Sequence, residues 1–150
     1  MIMKKVRLYL MIVLFGVSIF SCKKNEPTAK ENLIGKWMVT AWTMSPARNG
    51  VTDYFSLMDA CGKDDLTIFN ADGTVTNDQG VLKCSASNPQ TSSGGTWALS
   101  ADGKTLTMTS PGQAPTVITI VTLSSTSFVM KMTMVDSVGT LTYTITLVKK

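Results

Sequence analysis

Residues 140–147 alternate without a break. Leu141, Tyr143, Ile145 and Leu147 take one face, and Thr140, Thr142, Thr144 and Thr146 the other. Residues 127–134 repeat the pattern, with Phe128, Met130, Met132 and Met134 opposite Ser127, Val129, Lys131 and Thr133. A period of two marks a strand with one buried face. Six further runs have strand composition: 36–44, 66–70, 73–78, 96–100, 104–110 and 116–123. Helical periodicity is nearly absent. The connection 45–65 has room for one helical turn, capped by Thr52 or Asp53 and stopped at Gly62.

The eight predicted strands, A to H, are joined unevenly. Two connections are spelled alike, Asn70-Ala71-Asp72-Gly73 and Ser100-Ala101-Asp102-Gly103, and Asp-Gly is expected to supply the positive φ angles of a tight turn. In an up-and-down order these two and the F–G connection fall at one end. The long A–B and C–D connections fall at the other, with E–F and G–H. One adorned end and one tight end describe an all-β fold, an eight-stranded antiparallel up-and-down barrel. An eight-stranded β-sandwich is the alternative.

Residues 1–21 have the parts of a secretory signal: Lys4, Lys5 and Arg7, then an apolar run over 8–20. That run is shorter than the roughly 20 residues a membrane span needs. It ends at Ile19-Phe20-Ser21-Cys22, which resembles the lipobox of bacterial lipoproteins. The resemblance implies cleavage before Cys22 and lipidation of that residue. The alternative is an ordinary cleaved signal with a spare cysteine. Lys23 is not the aspartate that retains such proteins at the inner membrane, so the resemblance implies the outer membrane of a Gram-negative cell envelope. Residues 22–32 form the lipidated cysteine and a flexible polar linker, and 33–150 one domain. The chain's net charge is +4, but from Cys22 onward 11 Lys/Arg meet 10 Asp/Glu. No basic field points to nucleic acid. Lys23 and Lys24 suit lipid headgroups, so the membrane is the expected partner.

With Cys22 set aside, Cys61 and Cys84 are left to pair. They lie in the A–B and C–D connections, at the same end of the predicted barrel, where their α-carbons can come within about 7 Å. Closing that loop is worth roughly 3 kcal/mol.

The order of motifs resembles the small lipocalin-like domains of bacterial lipoproteins. Those residues are Leu33-Ile34-Gly35-Lys36-Trp37, Cys61-Gly62-Lys63-Asp64-Asp65, Asp72-Gly73, Cys84, Gly95-Thr96-Trp97 and Asp102-Gly103. Gly35, Trp37, Gly95 and Trp97 carry the signature. The chain departs from true lipocalins in its shorter body and in lacking a late arginine to stack on Trp37. The resemblance implies the barrel, and ligand binding more loosely.

Catalytic chemistry finds little support. There is no histidine, which removes Ser-His-Asp and Cys-His catalysis and the commonest zinc ligand. The cysteines are committed. The acidic cluster Asp53, Asp59, Asp64 and Asp65, beside Tyr54, reads as turn and cap residues rather than a calcium or catalytic site. Neither an enzyme nor a cofactor or metal is expected. Met108, Met130, Met132 and Tyr143 are expected to point inward, either as a packed core or as the wall of a cavity for a fatty-acyl-like or aromatic molecule. Trp37 is expected to plug the closed end. Two functional readings stand: a lipid-anchored envelope protein binding a small apolar or amphipathic ligand, and a solid-cored module contacting an envelope protein or glycan through the A–B and C–D loops.

Overall fold

The computed structural model describes residues 27–137 and 139–150. The signal segment and Cys22 lie outside the described residues. Nine strands are found among them: β1 (Gly35–Arg48), β2 (Val51–Asp53), β3 (Leu66–Phe69), β4 (Thr74–Asp78), β5 (Thr91–Leu99), β6 (Thr105–Thr109), β7 (Thr116–Leu123), β8 (Ser127–Asp136) and β9 (Gly139–Lys149). Short helices α1 (Ala29–Leu33) and α2 (Ala60–Lys63) and a 3₁₀ turn (Phe55–Leu57) complete the set. The sheet runs β2-β1-β3-β4-β5-β6-β7-β8-β9, and β1 also pairs with β9. Eight strands therefore close into an antiparallel up-and-down barrel, with β2 added along the far half of β1. The sandwich is excluded, because its two sheets would leave the edges that β1–β9 pairing removes.

The eight predicted strands are all present, and β2 is the addition. Its signal is Asn49-Gly50, whose φ angles of 50° and 77° make the two-residue turn between Arg48 and Val51. In the Asp-Gly turns only the glycines, Gly73 and Gly103, have positive φ. The aspartates act through their side chains instead. Asp72 Oδ1 accepts from Thr74 N at 2.9 Å, and Asp102 Oδ1 from Lys104 N at 3.0 Å. The Thr74 N–H bond holds the Asp72 carboxyl below the ordinary 3.8, and the Ser100 hydroxyl, then Lys104 N–H, do the same for Asp102.

The expected linker over 22–32 ends in helix α1. Thr28 and Glu31 form a capping box, each side chain accepting from the other's backbone N–H. This places Leu33, fully buried, across the tight-turn end. Two short helical segments, not one, occupy the A–B connection. Asp53 Oδ1 accepts from Ser56 N before the 3₁₀ turn, while Gly62 lies inside α2 and does not stop it.

The closed half of the barrel is filled by aromatic rings. Trp37 meets Phe128 edge-on at 5.7 Å, Phe128 meets Phe69 at 6.4 Å, and Phe69 meets Trp97 at 5.9 Å. With Leu33, Val75, Leu106, Ile118, Ile145 and Leu147 they form one buried cluster. Each large side chain removed from water there contributes about 1.5–3 kcal/mol.

A bulge in β1 decides what lines the other half. Val39 pairs with Leu147 and Ala41 with Thr146, so Thr40 is the extra residue. Inward positions shift from odd numbers (Trp37, Val39) to even (Trp42, Met44). Were β1 regular through Thr40, Trp42 would face solvent.

Candidate functional site

The upper barrel is built as rows across adjacent strands. Ile120, Met130, Ile145 and Trp42 are successive register partners on β7, β8, β9 and β1. Met132, Tyr143 and Met44 form the next row toward the mouth. Met108, on β6, Met130 and Met132 pack against the buried cluster as partly exposed residues. The structure thus brings Met130, Met132 and Tyr143 onto neighbouring rows, while Met108 pairs with Trp97 on β5. Met134, also expected inward, is 56% exposed. Pairing of β8 with β7 ends at Lys131, and beyond it β8 has only β9 beside it. A groove of about 490 Å³ lies there, between Val117 and Met134. A cleft of about 420 Å³ at the opposite end separates α1 from the β5–β6 turn.

The three tryptophans are treated differently. Trp37 Nε1 donates to Leu33 O at 2.7 Å, and Trp97 Nε1 to Asn70 O at 3.0 Å. These are the two signature indoles, and both serve the closed half. Trp42 packs on Tyr54 at 4.8 Å and meets Tyr143 edge-on at 6.2 Å. Its Nε1 is withdrawn from solvent and has no hydrogen-bond partner. A buried donor left this way costs about 1–3 kcal/mol. The sequence reading missed Trp42, because five positions separate it from Trp37 and a regular strand would put them on opposite faces.

The place of the absent arginine is taken by Lys149. Its ammonium lies 5.2 Å from the centre of the Trp37 ring and donates to Asn32 O at 2.7 Å. Burial pulls its pKa below the ordinary 10.5. Gly35, at φ 134°, leaves room for that side chain, since a Cβ would come within 2.7 Å of Lys149 Cε. At Gly95, with φ 95°, a Cβ would strike the Thr109 carbonyl.

At the mouth, Cys61 and Cys84 are disulfide-bonded with α-carbons 5.1 Å apart. Asp64 reinforces the link: its Oδ2 accepts from Val81 N and Leu82 N at 2.7 and 2.8 Å. The other oxygen, Oδ1, is buried without a partner. Asp65 is pushed above 3.8 by burial first, then by Asp64 and Asp78. Among the described residues no cluster of His, Cys, Asp or Glu is placed to hold a metal ion. The acidic loop works structurally through Asp53 and Asp64.

A closed eight-stranded antiparallel up-and-down barrel with one plugged end is the architecture of the lipocalin class of β-barrel. The lipocalin-like domain family matches residues 33–130, about two thirds of the chain, and the protein belongs to that family. No match is found among curated proteins. Among solved structures, bovine odorant-binding protein in complex with a selenium-containing odorant is 19% identical, with 85% of this chain and 76% of that one covered and a TM-score of 0.44. A deswapped triple mutant of the bovine protein is 21% identical over 79% and 74%, with a TM-score of 0.43.

Proposed function

We propose that this chain is a lipid-anchored envelope lipoprotein whose upper barrel binds one small apolar or amphipathic molecule. Members of the lipocalin-like family bind small hydrophobic ligands. The observation that carries the reading is the change of wall halfway up the barrel. Below, the rings are buried and interlocked. Above, Met130, Met132, Trp42 and Tyr143 are only partly covered, beside the buried Met44, Leu141 and Ile145, and these four are soft or aromatic. Methionine adapts to irregular apolar shapes, which suits a wall meeting a ligand better than a fixed core. An eight-stranded barrel has room for one small ligand where side chains do not fill it.

The test is titration of the purified protein with N-phenyl-1-naphthylamine, an apolar fluorescent probe. Saturable micromolar binding is expected. Met130→Lys should abolish it by placing an unpaired charge in the wall. Met130→Leu nearly conserves volume, should cost under about 1.5 kcal/mol of stability, and should keep binding. No saturable binding would sink the reading and leave the interaction module. That second reading draws on Leu57 and Leu82, 62% and 53% exposed on the two loops that the disulfide joins, and on Val81, 92% exposed.

A further inference from the structure

We propose that the open edge of β8, residues 132–135, is a strand-addition site for an extended, uncharged stretch of polypeptide with apolar residues at alternate positions. The inference lies outside the ligand-binding reading and does not depend on it. Two strands part here. The β7–β8 ladder ends at Thr119 and Lys131, yet β7 reaches back to Thr116 and β8 runs on to Asp136. Continued in the same register, the ladder would set Val117 opposite Thr133 and Pro115 opposite Val135. Proline has no N–H to give the Val135 carbonyl, so that pairing cannot form in full.

The period of the strand tells which backbone groups are left open. Ser127 O accepts from Ser124 N on the β7 side, while Thr126 O accepts from Lys149 N on the β9 side. From Ser127 to Asp136, β8 keeps an unbroken register with β9, so its odd positions turn their N–H and C=O toward β7. Thr133 and Val135 therefore present both groups to the gap, where the ladder gives them no partner. The gap is the groove of about 490 Å³ between β7 and β8. Val117, Met134 and Val135, 65%, 56% and 78% exposed, line it, and no charged side chain does. A hydrocarbon chain could cover these side chains, but it would strip water from the Thr133 and Val135 backbone and return no hydrogen bond. A peptide strand supplies a donor and an acceptor per residue and sets alternate side chains against the apolar wall. The mouth half of β5 makes the contrast. Residues 91–94 also lack a neighbour on one side, and there the sequence is Thr-Ser-Ser-Gly, which suits water.

The probe is a fluorescein-labelled peptide, Thr-Val-Thr-Val-Thr with blocked ends, added to the purified full-length protein. Before it is added, amide hydrogen exchange should be fast at Thr133 and Val135 and slower at Met132 and Met134, which β9 holds. The peptide should bind saturably and slow exchange at Thr133 and Val135. Its ester analogue keeps the side chains and loses the N–H donors, and should bind about tenfold more weakly or worse, the loss of two hydrogen bonds. Val135→Pro removes one donor from the open edge without touching the β9 ladder, and should weaken peptide binding about fivefold. Val135→Thr keeps the N–H and the shape, and should bind as the parent does. Equal binding of peptide and ester overturns strand addition and leaves an apolar groove. Thr133 and Val135 amides as protected as their neighbours in the free protein show a closed edge and also overturn it. Protection that grows with protein concentration and not with peptide puts a second copy in the groove and rules out the peptide as occupant. Absence of saturable peptide binding sinks the proposal outright.

Discussion

Asp65 is a residue whose neighbours make folding dearer. Burial and the charges of Asp64 and Asp78 raise its pKa above 3.8. The folded state therefore binds its proton more tightly than the unfolded chain does. The resulting destabilisation is absent below 3.8 and grows as pH rises through the raised folded value. Asp65→Asn should stabilise the protein at pH 7 and have little effect near pH 3, read as melting temperatures at the two pH values. Asp72 and Asp102 run the opposite way. Their pKa values are lowered by turn hydrogen bonds, so their support is present above 3.8 and fades as pH falls through the folded values. An Asp65→Asn gain that was the same at both pH values would show that the carboxyl's charge is not what matters.

At the scale of elements, the mouth depends on a covalent tie between two connections that have few strand contacts of their own. The Cys61–Cys84 bond closes a separation of 23 residues around the β3–β4 hairpin. Cys84→Ser should cost about 3 kcal/mol, on the order of 10 °C in melting temperature for a domain of this size. Peptide mapping without reductant should recover the linked pair. Asp64 belongs to the same device, holding residues 81–82 beside α2, and a Cβ at Gly80 would press on its carboxylate at 2.6 Å. The tight end needs no such tie, because Leu33 and the aromatic chain fill it.

For the whole molecule, the two ends differ in chemistry. The chain enters at the plugged end through α1, and the helix cap Thr28 lies six steps along the chain from Cys22. Fully extended, they reach about 21 Å. A lipid on Cys22 would hold the plugged end near the bilayer and turn the mouth away from it, so ligand exchange would run through the aqueous side. Cys22→Ala should release the protein from membranes in folded form, with probe binding unchanged. Membrane retention of that variant would place the anchor elsewhere in the chain.

Alternation of side chains is a local property, and for that reason it was legible. The strands, the up-and-down order and the two cysteines at one end follow from periods of two and the lengths between them, as does the placing of Met130, Met132 and Tyr143 on neighbouring rows. The capping box at Thr28 and Glu31 and the Asn49-Gly50 turn were equally local, and could have announced α1 and β2. What sequence alone did not determine depends on partners far along the chain. The Thr40 bulge exists because β1 must register on β9 about a hundred residues away, and that one extra residue carries Trp42 indoors. Lys149 replaces an arginine over Trp37 because barrel closure sets the last strand beside the first. Met134 is exposed because β7 stops pairing before β8 does. Register, closure and the fate of a single indole N–H are cross-strand events, and only the tertiary structure decides them.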